Sequence, residues 1–264
     1  MNFFTETSLK QFYTEIFNNL RETDANLIEI WLEFSAIPLL KQFNKSRLKE
    51  IIGNFNFISV KKGNYQFYLV INKILFIIEA LRILELDIRE ISEIIDYSGF
   101  ETLIKEILEK NGYTTTKNFR FSDKSNFKSK TTQKRYEIDI IGINMNYILI
   151  IDAKQWRRKD SFSSINKAAD LQYRRTIALE RNLDVLSTLI QKLIKNKKTI
   201  KKRLPFVLIP MMVTLEDNSI KINNNQIPLV SIYQLNSFLL ELEKNITYFK
   251  TIEINQIYIQ QTLY

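Results

Sequence analysis

Residues 136–154 read "YEIDIIGINMNYILIIDAK", and the way this stretch pairs with itself decides the fold. Two apolar, β-branched runs flank a short polar break, which predicts a β-hairpin. If Met145 and Asn146 form a two-residue turn, Asn144 faces Tyr147 and paired positions have numbers summing to 291. Asp139 then lies directly opposite Asp152 on one face of the sheet, with Cβ atoms about 5 Å apart. Lys154, two residues on, shares that face. A three-residue turn would instead put the two aspartates on opposite faces, unless a bulge intervened. The surroundings "IDII" and "LIIDA" are apolar enough for central strands, where a charge is costly without a purpose. Such a pair is either a surface cluster neutralised by Lys154 or a cation site, because close carboxylates repel until a cation or proton lies between them.

Composition narrows the chemistry. The 264 residues include no Cys and no His. That excludes disulfides, thiolate nucleophiles, zinc–thiolate sites, Ser-His-Asp triads and histidine-ligated metals. Any metal must be held by carboxylate and carbonyl oxygens, which favours Mg²⁺ or Mn²⁺. With 45% hydrophobic and 25% charged residues and only 5 Gly and 4 Pro, the chain reads as packed and globular. The start "MNFFTETSLKQFYTEI" carries acidic residues early, and "INKILFIIEALRIL" (71–84) is interrupted by Lys73, Glu79 and Arg82. Neither a signal peptide nor a membrane span is expected, so the expectation is a cytoplasmic protein with no membrane partner. The net charge of +9 is uneven: residues 1–95 hold 11 Lys/Arg against 12 Asp/Glu, and residues 96–264 hold 27 against 17. Between Lys105 and Arg203 the count is 24 against 10, which suggests a polyanionic partner for the C-terminal part.

Periodicity divides the chain near Asp96, giving domains 1–95 and 96–264. Residues 1–50 read as helices, with Leu27, Ile28, Ile30, Trp31 and Phe34 at helical spacing behind Asp24 as N-cap, and a further helix ending at Gly53. Residues 55–70 form a hairpin around Lys61-Lys62-Gly63-Asn64, and 71–95 return to helix. Helices followed by a hairpin is the order of a winged helix, a DNA-reading module; the segment's net charge of −1 suits an interaction or dimerisation domain at least as well. From Ser98, "SGFETLIKEILEKNGY" is an amphipathic helix closed by Gly112. A strand and a basic loop follow over 114–135, then the hairpin and helices over 163–184 and 184–203. After them come the buried strand "PFVLIPMMVT" (205–214), short strands over 220–232 and a helix at "YQLNSFLLELEKN". The expected fold class is mixed α/β, a central mixed sheet flanked by helices.

"GFETLIKEILEKNGY", then "YEIDIIG", then "YILIIDAKQW" resembles the PD-(D/E)xK nuclease superfamily, in particular its restriction-endonuclease-like branch with archaeal Holliday junction resolvases and Mrr-type enzymes. The likeness covers roughly residues 98–180. It departs from the usual pattern in having Ile138 where a proline is common, and Asp152 where glutamate is commoner. The resemblance implies a restriction-endonuclease-like sheet and a Mg²⁺ (or Mn²⁺) ion ligated by Asp139, Asp152 and the carbonyl of Ala153. It implies Lys154 as the group that orients or helps deprotonate the attacking water, and Glu101 as the helix glutamate holding a metal-bound water. Ser98 to Glu101 is equally an S-x-x-E capping box. Glu137, on the face of Asp139, is a lesser candidate. Lys128, Lys130, Lys134, Arg135, Arg157, Arg158, Arg174 and Arg175 are candidates for phosphate contacts, with solubility as the alternative. Trp156 suits packing or base stacking, and Gln172-Tyr173 is similar to the Q-x-x-x-Y element of the RecB-like branch at a different spacing.

The expected function is therefore a Mg²⁺-dependent endonuclease hydrolysing DNA to 5′-phosphate and 3′-hydroxyl ends. RNA or branched junctions are alternative substrates, because phosphates look alike to lysine. A non-catalytic DNA-binding protein on the same scaffold is the rival of a different class. A homodimer is compatible with cutting both strands.

Overall fold

The computed structural model describes residues 4–86, 88–122, 135–155, 162–215 and 222–259. The chain divides into two compact units, Met1–Glu106 and Ile107–Tyr264. In the first unit, α1 (Glu6–Arg21) is capped by the Thr5 hydroxyl, which accepts from the Ser8 N–H, and it buries Phe12, Tyr13, Ile16, Phe17 and Leu20 at the three-to-four spacing of an amphipathic helix. The next element corrects the expected helix: Glu29–Glu33 is a strand, β1. Asp24 caps only a turn, its Oδ1 accepting from the Asn26 N–H at 3.0 Å. Glu29, Trp31 and Glu33 are exposed and Ile30 is buried, a period of two that pairing with a neighbouring strand stabilises.

Two 3₁₀ turns (Phe34–Ala36 and Pro38–Gln42) lead into α2 (Lys45–Ile52), which ends at Gly53 as the sequence predicts. The predicted hairpin follows as β2 (Ile58–Lys62) and β3 (Phe67–Asn72), its tip closed by the Gly63 N–H donating to the Gln66 carbonyl at 2.8 Å. The three strands form an antiparallel sheet in the order β1-β3-β2. Then come α3 (Lys73–Ile83) and α4 (Ile88–Ile94). Lys73 is fully buried, donating from Nζ to the carbonyls of Asp24 (2.7 Å) and Ile94 (3.1 Å). Burial holds its pKa below the ordinary lysine value.

The division between the units falls inside α5 (Tyr97–Lys110), which Gly112 terminates at φ +80°. The second unit continues with β4 (Thr114–Ser122), β5 (Arg135–Asn144), β6 (Tyr147–Lys154) and α6 (Phe162–Arg181). Where one helix is expected over 184–203 there are two, α7 (Leu183–Leu193) and α8 (Lys197–Lys202). Asn196 starts the second by accepting at Oδ1 from the N–H groups of Lys198 and Thr199. The unit closes with β7 (Phe206–Thr214), β8 (Leu229–Ser231), α9 (Leu235–Asn245) and β9 (Ile252–Ile254).

The sheet order is β4-β5-β6-β7-β8, with β9 on β7. β6–β7 and β7–β8 are parallel and the other pairs antiparallel, which is the expected mixed sheet. Ile141, Ile143, Ile148 and Ile150 pack with Ala178 and Leu179 of α6 and Leu186, Leu189 and Ile190 of α7. Pro210 lies inside β7, which a proline would ordinarily exclude. Its nitrogen points the same way as that of Met212, which donates to the Pro228 carbonyl beside β8. On that side β9 ends opposite Leu208 and β8 begins opposite Met212, so the missing N–H falls in the gap between them. Among the described residues no helix is long and apolar enough to cross a membrane.

Candidate active site

The hairpin forms in the predicted register: Asn144 pairs with Tyr147, and the ladder runs to Ile140 opposite Ile151. It stops there, one pair short of Asp139 and Asp152. The cause lies on the other side of β5. β4 pairs with β5 from Thr114–Ile143 to Lys117–Ile140 and again from Phe119–Ile138 to Ser122–Arg135, leaving Asn118 beside Asp139. Asn118 has φ +53°, the left-handed region that asparagine tolerates best among residues with a side chain. Ile138 consequently joins the same apolar cluster as Ile141 and Ile143. The alternation of the pleat slips by one between them, and Asp139 occupies the slip.

Released from the ladder, the Asp139 carboxylate takes over a backbone role: its Oδ2 accepts from the Ala153 N–H at 2.8 Å. An extended residue points its N–H and C=O to the same side, so the Ala153 carbonyl faces the same opening. Asp152 is 2% exposed, and its two oxygens meet two cations. Oδ2 lies 2.9 Å from Lys154 Nζ, and Oδ1 accepts from Arg175 NH1 at 2.5 Å. α6 fixes this arrangement. Gln172, fully buried, donates from Nε2 to the Ile150 carbonyl at 2.8 Å and accepts at Oε1 from Arg175 at 3.3 Å. One turn of α6 thus grips β6 by its backbone at Ile150 and by its carboxylate at Asp152.

The structure therefore brings Asp139, Ala153, Asp152 and Lys154 together at the point where two central strands part. Arg175, expected among the phosphate contacts, faces Asp152, whereas its neighbour Arg174 is exposed. Arg135 is exposed at the start of β5, beside Arg120, which pairs with Glu137 at 3.0 Å. Glu137 is thereby engaged by Arg120. Arg120, Arg135, Tyr136 and Glu137 line a groove of about 580 Å³. Lys128, Lys130, Lys134, Trp156, Arg157 and Arg158 lie outside the described residues. Glu101 belongs to the first unit, in α5, and is buried. It is no part of a Ser98 capping box: Asp96 caps α5, its Oδ1 accepting from the Gly99 N–H at 2.7 Å. The sequence did not assign Arg175 or Gln172 to Asp152; their three-residue spacing on one helix face was the available signal.

Two carboxylates and a backbone carbonyl are donors of the kind that Mg²⁺ or Mn²⁺ accepts, and Mg²⁺ often uses only one or two carboxylates and keeps its waters. Among the described residues no group of three or more acidic side chains gathers around a common point. An ion held here would draw on Asp139 and on Asp152, whose two oxygens Lys154 and Arg175 engage in this structure.

Residues 98–227 match the family described as nuclease-related domain. No curated protein matches the chain. The crystal structure of protein VC1899 from Vibrio cholerae aligns at 12% identity over 92% of this chain and 51% of that one, with a TM-score of 0.30. This chain spans about half the length of that protein.

Proposed function

We propose, from the premise that residues 98–227 are a nuclease-related domain of the restriction-endonuclease-like PD-(D/E)xK superfamily, that the chain is a divalent-metal-dependent DNA endonuclease. The observation that carries this reading is the cluster at the parting of β5 and β6: Asp139 on the Ala153 N–H, with buried Asp152 and Lys154 at 2.9 Å beside it. Asp139 and Asp152 would hold Mg²⁺ or Mn²⁺, with the Ala153 carbonyl on the same side. Bound there, the ion would supply Lewis-acid stabilisation of the scissile phosphate.

The chain's own groups do the rest. Lys154 orients the attacking water and offsets the charge that develops on the phosphate oxygens. The water oxygen bonds to phosphorus as the bond to the 3′-oxygen breaks, leaving the 5′-phosphate and 3′-hydroxyl that the superfamily likeness implies. Arg175 keeps Asp152 in one orientation while the ion binds, as Gln172 keeps Arg175. The exposed Arg174 and Arg135 supply backbone contacts.

The test is cleavage of supercoiled plasmid, a single-stranded oligonucleotide and a four-way junction in Mg²⁺, Mn²⁺ or EDTA. The expected outcome is metal-dependent cutting, reduced about 10²–10⁴-fold in Lys154→Met, the range spanned by one positioned proton-handling group, and lost likewise in Asp139→Asn, which removes a metal ligand. One observation favours a second reading. Asp152 is already neutralised by Arg175 and Lys154, which suits a scaffold that grips DNA without cutting it. Binding in EDTA that survives Asp139→Asn, with no cutting in either metal, would establish that reading instead.

A further inference from the structure

The first unit is nearly neutral in sum and strongly polarised in space. Residues 41–67 hold six cations, Lys41, Lys45, Arg47, Lys49, Lys61 and Lys62, against Glu50 alone, while the rest of residues 1–95 holds five Lys/Arg against eleven Asp/Glu. A net of +5 on this segment is thus hidden by −6 elsewhere in the unit. The segment is α2, the β2–β3 hairpin and their flanks, and Arg47, Lys49, Lys61 and Lys62 are all exposed. Lys61 spans 3.5 Å to Glu29 and lies over the Trp31 ring, whereas Arg47, Lys49 and Lys62 form no ion pair among the described residues.

The connectivity gives this charge a shape. Helix, strand, short 3₁₀ turn, helix and hairpin, with the strands in the order β1-β3-β2, is the arrangement of a winged helix-turn-helix. The Pro38–Gln42 turn and α2 are joined through Phe43 and Asn44. Asn44 caps α2, accepting at Oδ1 from the Arg47 N–H at 3.0 Å. A groove of about 900 Å³ is lined by Leu48 and Ile52 of α2 and by Val60 and Phe67 of the hairpin. Tyr65 at the hairpin tip is 99% exposed.

We infer that α2 and the β2–β3 hairpin of the first unit form a duplex-DNA-binding surface, with Arg47, Lys49 and Lys62 on the phosphate backbone. A B-DNA major groove is about 12 Å wide and admits one helix. A hairpin beside that helix then meets the neighbouring backbone. Single strands offer no groove for α2, which is why the inference commits to duplex. It deepens the nuclease reading by giving the chain a second, non-cutting DNA contact, but it is argued from the first unit's own residues and stands without cleavage.

The experiment measures binding of the whole chain to a 20-base-pair duplex, and to one of its strands, by fluorescence anisotropy in EDTA across a salt series. The variant Arg47→Ala/Lys49→Ala/Lys62→Ala is compared with Arg82→Ala/Arg89→Ala, exposed cations of the same unit outside the segment. All the substituted side chains are exposed, and circular dichroism confirms folding. The expected result is duplex affinity lowered at least tenfold and a salt slope shallower by about 3 in the triple variant, roughly one unit per lost phosphate contact, with the double variant unchanged. The same slope change without any cleavage in Mg²⁺ would leave this inference standing while removing the nuclease reading. A triple variant that binds duplex as wild type does, or that weakens single strand equally, overturns it.

Discussion

Asp152 is a buried carboxylate with a cation on each oxygen, and that balance governs what its neighbours can tolerate. Arg175→Met removes one partner and leaves a desolvated charge short of compensation, which costs about 3–5 kcal/mol for a buried pair. Asp152→Asn combined with Arg175→Met removes the charge as well, so urea unfolding should show the double variant recovering most of the loss. If the two substitutions simply add, the pair is not coupled as the 2.5 Å contact requires. Asp139, Asp152 and Lys154 stood out in the sequence because charges inside apolar strands are conspicuous, and a strand's period of two placed Lys154 beside Asp152. Arg175 was not. A long side chain on a helix reaches either solvent or sheet, and which one depends on how α6 is rotated against β6, a tertiary quantity.

The strands show the same limit one level up. The hairpin register followed from the turn length alone, yet the slip at Asp139 did not, because its cause is Asn118 on a different strand. Asn118→Gly should be nearly neutral. Asn118→Val, a β-branched residue in a left-handed position, should cost about 1–2 kcal/mol in a denaturant titration. It should also reduce cleavage more than stability alone explains, by drawing Asp139 back into the ladder. Pro210 reverses a common expectation. Replacing a strand proline usually restores a ladder bond, but here Pro210→Ala would place a new N–H in the gap between β9 and β8, where neither strand pairs with it. The variant should melt lower, by about 1–3 kcal/mol. The β1 segment "EIWLE" misled for a related reason: its apolar positions fit a helical spacing and a strand alternation alike, and the pairing with β3 decides between them.

Over the whole molecule, charge follows the division into units. Residues 1–106 hold 12 Lys/Arg against 15 Asp/Glu, and residues 107–264 hold 26 against 14. The basic surface was visible in composition; the polarity inside the first unit emerged only when α2 and the hairpin were seen as neighbours in one sheet-and-helix unit. DNA binding by the intact chain should therefore fall by about 10³ or more between 50 and 200 mM salt, as for six or so phosphate contacts. The same affinity should stay within about twofold from pH 5.5 to 7, because a chain without His or Cys has no side chain whose ordinary pKa lies in that interval. A stronger pH dependence would point to a carboxylate raised far above its usual range. The kink at Asn118 has one more consequence, for how molecules meet each other. β4 is an end strand of the six-stranded sheet, and the outer backbone groups of such a strand are a template on which a second copy can add. A left-handed residue in mid-strand, with Lys117 and Arg120 to either side, denies that edge the flatness and neutrality such pairing needs. Straightening the edge with Asn118→Val should thus bring fibrillar self-association, seen as rising light scattering and thioflavin fluorescence, while Asn118→Gly stays dispersed.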